Sequence, residues 1–442
     1  MNLSVLSFPP GFLWGTACSA YQVEGDNRNN DWWIWEQTPG HISDGSGAGL
    51  ACDWWRAAEQ DFDLATRMGQ NAQRLSIEWS RVEPQEGAWS GQAFARYREM
   101  LIGLRQRGIE PMVTLHHFTN PLWLVGKGGW ETEEVVPLFI RYVGRVVGEL
   151  GDLVSLWCTI NEPNVYAYES YLKGVAPPGK SDLTAALRVL RTMLLAHGQA
   201  YQTIHSLSKE ARVGIAHHVR VFEPAHSASI PDRWVARILD SVFNELAMQA
   251  LATGVLHFPL SFLCVHVPAL VDSMDYIGLN YYTRDLVAFD YRKPGDLFAR
   301  FCRPEAAPMS DGDYGEVHPS GLYAVLKRYG RYGKPIYVTE NGLPDSDDDQ
   351  RPSFLLSHLA SLHRAVSEGV DVRGYFHWTL VDNFEWSRGW SLRFGLVELD
   401  RDSQGRRLRR SGELYSEICT AGAISEDMVM RYAPDLAEGL IT

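Results

Sequence analysis

Two glutamates in this chain have the chemistry to work as a pair. Glu162 stands in Thr159-Ile160-Asn161-Glu162-Pro163, and Glu340 in Val338-Thr339-Glu340-Asn341-Gly342. Each closes a short apolar run that reads as a buried strand, just where a polar loop begins. A carboxylate there is costly to bury unless it is paired or used. Two carboxyls facing one cavity are the minimum needed to cleave a glycosidic bond. Taken singly, either glutamate reads equally well as half of a structural ion pair, so the elements that carry them must decide.

Short apolar runs alternate with amphipathic stretches along the chain. Strands are expected at Phe12–Thr16, Ala72–Ile77, Pro111–Leu115, Val154–Thr159, Val213–Ala216, Tyr276–Leu279, Ile336–Val338 and Gly374–Trp378. Helical spacing recurs between them, as in Glu59–Met68, Phe94–Gln106, Val136–Leu150, Ala185–Ser206 and Phe354–Ser367. Strands alternating with helices imply a parallel sheet, and eight is the number that closes a barrel. The expected fold is therefore α/β, a (β/α)8 TIM barrel with elaborated βα loops. No linker divides it, so residues 1–442 read as a single domain. An open doubly wound sheet is disfavoured because no glycine-rich phosphate turn follows the first strand.

In such a barrel the strand C-termini line one mouth. Gln22 and Glu24 follow strand one. Arg74 lies in strand two, and His116 and His117 end strand three. Asn161 and Glu162 end strand four. Asn280, Tyr281 and Tyr282 follow strand six. Glu340 and Asn341 end strand seven. Strand eight runs through Trp378 to Asn383, Glu385 and Trp386. Amides and carboxylates grip hydroxyls, and indoles offer stacking faces. This lining suits a neutral polyol better than a phosphate, which calls for several Arg or Lys.

Composition narrows the partners. The charge is −13, from 54 acidic and 41 basic residues, which argues against nucleic acid and anionic membrane. The hydrophobic share of 45% supports a large core. The six cysteines are scattered without metal-ligand spacing, so a reduced, cytoplasmic protein is expected. The opening Met1–Pro10 lacks a basic segment and its apolar stretch is too short for a secretory leader. No run approaches a membrane span. The acidic run Asp345–Asp349 lacks the spacing of a calcium loop and reads as a solvated surface loop.

The motifs resemble those of glycoside hydrolase family 1, the β-glucosidase family of retaining enzymes on a TIM barrel. The resemblance begins at Phe12-Leu13-Trp14-Gly15-Thr16-Ala17 and continues to Tyr21-Gln22-Val23-Glu24-Gly25. It passes through Arg74-Leu75-Ser76-Ile77-Glu78-Trp79, Asn161-Glu162-Pro163 and Gly278-Leu279-Asn280-Tyr281-Tyr282. It ends with Thr339-Glu340-Asn341-Gly342 and Trp378 to Trp386. The resemblance implies Glu162 as general acid/base and Glu340 as nucleophile. Gln22, His117, Asn161, Glu385 and Trp386 would hold the sugar, with Trp378 as its platform and Phe394 beside its 6-hydroxymethyl group. Arg74 and Tyr282 would bond the nucleophile, with Asn280 supporting them.

The activity implied is hydrolysis of terminal β-glucosyl residues, with β-galactosyl and β-fucosyl residues tolerated. The substrates would be small β-glucosides and oligosaccharides, as in cellulose degradation. No metal or organic cofactor is expected, and the chain would act as a monomer or homo-oligomer. Two alternatives are a transglycosylating β-glucosidase and a non-catalytic sugar-binding relative; the second is disfavoured because both glutamates are present. Glu340 should be ionised by Arg74 and Tyr282, and its charge should raise Glu162 into the protonated form. One departure stands out. Phe118 occupies a position where many members have Trp, which removes an indole N–H donor.

Overall fold

The computed structural model describes residues 5–304 and 307–440. Eight parallel strands form the centre. They are β1 (Leu13–Ala17), β2 (Ala72–Ser76), β3 (Glu110–His116), β4 (Leu156–Asn161), β5 (Arg212–Pro224), β6 (Tyr276–Phe289), β7 (Ile336–Asn341) and β8 (Val372–Trp378). Each pairs with the next in chain order, and β8 returns to β1, so the sheet closes into a barrel. Helices cover the outside: α1 (Trp54–Arg67), α2 (Gly91–Gln106), α3 (Val135–Leu150), α4 (Leu183–Leu207), α5 (Ile230–Leu239), α6 (Pro319–Gly330), α7 (Arg351–Ser367) and α8 (Arg410–Ala421).

The helices form where the apolar spacing demands a partner. On α3, Val135, Val136, Phe139, Tyr142, Val143, Val146, Val147 and Leu150 are buried, a stripe at three- and four-residue intervals. The strands are buried on both faces, as parallel strands beneath helices must be. Inside the barrel, Ala72, Met112, Leu156, Tyr276, Tyr337 and Phe376 pack as an apolar plug. Arg74 lies two residues beyond Ala72 and so points to the same side of β2. It is fully buried, directly above that plug.

All eight expected strands are present, but two are far longer than their apolar runs. β5 and β6 continue past Ala216 and Leu279 as a paired ribbon, with Val219 opposite Tyr281 and Pro224 opposite Val287. The apolar signal ends early because His217, His218, Arg220, Asn280 and Asp285 are polar; His218 and Asn280 reach Glu162 at the barrel mouth, whereas His217 is bonded to the Asn244 carbonyl at 2.8 Å beside Tyr329 of α6. Helix α7 also starts earlier than expected. Asp345 accepts from the N–H groups of Gln350 and Arg351 at 3.0 and 2.8 Å, which satisfies donors at the helix start. The acidic run is thus not simply solvated. Asp345 and Asp348 are buried, and Asp348 pairs with Arg351 and Ser411. Among the described residues no helix is long and apolar enough to cross a membrane.

Candidate active site

Both glutamates sit at the C-terminal end of the barrel, each after a break in strand register. The β4–β5 ladder shifts between Cys158 and Asn161, and the β6–β7 ladder shifts between Val338 and Glu340. Such irregularities re-aim the side chains that follow. Pro163 disfavours the right-handed helical region for Glu162, which adopts φ 44° and ψ 58°. A left-handed non-glycine residue costs about 1–3 kcal/mol and persists only where its surroundings over-determine it. Here the Glu162 N–H is tied to the Ala216 carbonyl at 2.8 Å. Beyond Glu340, a Cβ on Gly342 would lie 2.0 Å from the Trp378 carbonyl oxygen, so only glycine lets these two loops meet.

One hydrogen-bonded network joins the pair. Arg74 donates through Nη1 to Glu340 and through Nη2 to Asn161 Oδ1, the latter at 2.6 Å. Its Nε donates to Thr114 at 3.1 Å. Tyr282 donates to Glu340 Oε2 at 2.7 Å. Asn280 Nδ2 donates to Glu162 Oε1 at 2.7 Å and to Asn161 Oδ1 at 3.2 Å. Its Oδ1 accepts from Thr339 at 2.6 Å. Arg74 and Tyr282 therefore meet Glu340 as expected. Asn280 joins this shell through Asn161 Oδ1, which Arg74 also grips, and in addition its amide holds Glu162, because the register shift places it opposite Glu340 with its side chain turned to β4.

The remaining expected residues line the same mouth. Asn161 Nδ2 donates to His117 Nε2 at 3.1 Å, and His117 Nδ1 is buried without a partner. Burial and the nearby Arg74 charge hold His117 well below its usual value, so the ring is neutral and Nδ1 carries the hydrogen. A sugar hydroxyl would satisfy that orphaned donor. Gln22 Nε2 donates to Glu385 Oε2 at 3.2 Å and to the Phe384 carbonyl at 2.8 Å. Trp378 lies near-parallel to His117 with centroids 6.0 Å apart, and its peptide bond to Thr379 is cis. Trp386 stacks on Tyr21 at 6.0 Å and tilts against Trp32 at 4.7 Å. Trp32 is buried and backs Trp386. Phe394 meets Tyr282 edge-on at 6.2 Å. His116 is bonded to Asn120 at 3.1 Å and serves packing, as does the fully buried Trp130.

One residue escaped the sequence reading. His218 Nδ1 lies 2.7 Å from Glu162 Oε1. Its signal was the polar end of strand five, the second histidine of a His-His pair just past the last apolar residue.

A profile of the family described as Glycosyl hydrolase family 1 matches residues 5–423. The chain belongs to this family. It is 33% identical to Beta-glucosidase A of Thermotoga maritima, over 94% of this chain and 98% of that protein. It is 31% identical to a Beta-galactosidase of Sulfolobus acidocaldarius, over 96% of this chain and 97% of that protein. The solved beta-glycosidase from Pyrococcus horikoshii superposes with a TM-score of 0.90 at 38% identity, covering 97% of this chain and 98% of that one.

The electrostatics of this family 1 site differ from the sequence expectation. Burial raises Glu340 to about 7; Arg74 is the strongest opposing influence, the charge of Glu162 adds to the rise, and Tyr282 opposes it. Burial also resists ionisation of Glu162, but His218 and Asn280, followed by the Arg74 charge, bring it below its ordinary value. Repulsion from Glu340 is thus outweighed by donors that the sequence did not reveal. The two carboxyls interact, so the pair shares one proton in mildly acidic solution and loses it as pH rises through about 7. Glu385 is lifted to about 8 by burial and then by the Glu340 charge, against Trp378 and Gln22.

Proposed function

We propose that this family 1 chain is a retaining β-glycosidase that hydrolyses unphosphorylated terminal β-glucosides and tolerates β-galactosides and β-fucosides. The observation that carries the reading is the single network in which Arg74 and Tyr282 grip Glu340 while Asn280 grips Glu162. Relatives named for glucoside and galactoside hydrolysis support the substrate class.

The productive form has Glu340 ionised and the proton on Glu162. Glu340 attacks the anomeric carbon as the glycosidic C–O bond breaks, and Glu162 gives its proton to the departing oxygen. A covalent glycosyl-enzyme results, and the negative charge of Glu340 is gone. Glu162, now a carboxylate, takes a proton from water, whose oxygen attacks the anomeric carbon and releases Glu340. Two inversions give net retention. His117 Nδ1, Gln22 and Glu385 are placed to bond the hydroxyls, and Trp378 to carry the ring face. A phosphate dianion would be unwelcome where burial already lifts Glu385 to about 8.

The test uses p-nitrophenyl β-D-glucoside. Parent activity should collapse in Glu340→Gly, and azide should then yield the α-glucosyl azide. In Glu162→Gly, azide should instead yield the β-glucosyl azide. The opposite stereochemistry, or an active Glu340→Gly variant without azide, overturns the assignment.

A further inference from the structure

The proton of Glu162 is controlled from a direction that the two-carboxylate scheme does not supply. His218 and Asn280 both donate to Oε1 of Glu162, each at 2.7 Å. Among the described residues no protein group donates to Oε2. Behind His218, Arg220 Nε points at the ring's Nε2 at 3.4 Å. A guanidinium carries only donors, so Nε2 must present its lone pair and Nδ1 must carry the hydrogen. Arg220 is itself held by Asp285, which accepts from Nη1 at 2.9 Å. The ring is clamped between Tyr282, near-parallel at 5.8 Å, and Phe243, edge-on at 5.9 Å. Arg220 and Asp285 also line an apolar groove of about 80 Å³ walled by Val165, Tyr168, Phe222 and Phe243.

We propose that Asp285, Arg220 and His218 form a buried relay that fixes His218 as an Nδ1–H donor to Glu162 Oε1, confining the catalytic proton to Oε2 and favouring the carboxylate form needed in the second step. This rests on the reading of Glu162 as the acid/base. His218 is a positioning residue: it touches Glu162, not the sugar. By stabilising the ionised form, the relay lowers the fraction of Glu162 that holds its proton near neutral pH and favours the second step, which needs the carboxylate.

The titratable neighbours of Glu162 come from every side. They are Arg74 on β2, His217 on β5, Tyr282 on β6 and Glu340 on β7. Glu169 faces it from the helical segment Tyr168–Lys173, and Tyr314 and Glu385 face it from the loops. His218 donates to Glu162 from among these groups and can be changed without replacing any of them.

The experiment is the pH dependence of kcat/KM on an aryl β-glucoside for the parent, H218L and H218N. Glu162 binds the more weakly held proton of the pair and so governs the acid limb. Losing a donor to its carboxylate raises its proton affinity. The acid limb of H218L should therefore move up by about one pH unit. H218N, whose amide can still donate to Oε1, should keep the limb within about 0.3 unit. An unmoved limb in H218L, or equal shifts in both variants, overturns the relay. If H218L does not fold, R220M serves: freeing Nε2 releases the tautomer and should move the limb in the same direction, and an unmoved limb overturns the proposal. Glu162→Gly is run alongside. Should it retain alkyl-glucoside hydrolysis, the acid/base reading fails; should it lose that hydrolysis while H218L leaves the limb in place, the relay alone fails.

Discussion

The ring of Tyr282 lies against that of His218, 17° from parallel, while its hydroxyl donates to Glu340 at 2.7 Å. His218 in turn meets Glu162 at 2.7 Å. The donor to one carboxyl is therefore packed on the donor to the other. The two rings come from β5 and β6, whose register sets His218 opposite Asn280 and so brings all three donors to one level of the barrel.

Tyr282→Phe isolates one half of that relationship, because it keeps the ring stack and removes only the O–H. A hydrogen bond to an ionised group contributes about 1.5–3 kcal/mol, so kcat/KM should fall roughly 10- to 100-fold. The loss of a donor raises Glu340 further from about 7. The last proton of the pair then leaves later, and the basic limb of the kcat/KM profile should move to higher pH. A profile with its basic limb in place and a rate within twofold would remove Tyr282 from the nucleophile's partners.

Glu385→Gln reports on stability. Glu385 is held at about 8, above its value of 4.5 in an unfolded chain. Between those values the folded form keeps a proton that the unfolded form releases. Stability is therefore complete below about pH 4.5 and is lost as pH rises through about 8. Glutamine cannot ionise and removes this loss. The melting temperature of E385Q minus that of the parent should grow from pH 5 to pH 9, while KM for glucosides rises. A difference that stays flat with pH would show that Glu385 ionises freely in the folded site.

The parts of this site that were legible in sequence are those set by the chain locally. Glu162 and Glu340 end uninterrupted apolar runs, and Pro163 marks the turn after the first. The Arg74–Glu340 contact was expected from the family resemblance, and the structure supplies it because Arg74 points from β2 into the barrel above its apolar plug. The direct bond from Asn280 to Glu162 was not legible because it depends on a register shift at Thr339 between neighbouring strands, which leaves no trace in local periodicity. His218 was missed because the strand signal fades at Ala216, although β5 continues to Pro224. The reversed proton affinities follow from these same two residues. Asp345 and Asp348 looked solvated because their partners, the α7 amides and Ser411, lie outside the acidic run.

Phe118→Trp tests a departure that the structure places between His117 and Trp386. Phe118 has φ 72° and meets Trp386 nearly edge-on at 5.4 Å. An indole there would restore an N–H donor beside His117 without changing the apolar contact. One added hydrogen bond contributes about 0.5–1.5 kcal/mol, so KM for β-glucosides should fall roughly two- to tenfold. An unchanged or lower kcat/KM would mean that the N–H finds no hydroxyl.

The loop carrying Glu385, Trp386 and Phe394 depends on one buried ion pair. Arg409 grips Asp382 through two bonds, at 2.9 and 2.8 Å, and also donates to the Gly395 carbonyl at 2.7 Å. Asp382 accepts from the Gly395 N–H at 2.9 Å, so the two ends of the loop are pinned together. Arg409→Met leaves Asp382 buried without its cation, which costs about 3–5 kcal/mol. Chemical denaturation should show that loss. Because the pinned loop presents Glu385 and Trp386, KM should rise more than kcat falls, and the reverse split would place the loop in the chemical step instead. Replacing both partners with apolar residues of similar size should recover part of the stability but not the KM, since the charge is then no longer stranded while the loop stays unpinned.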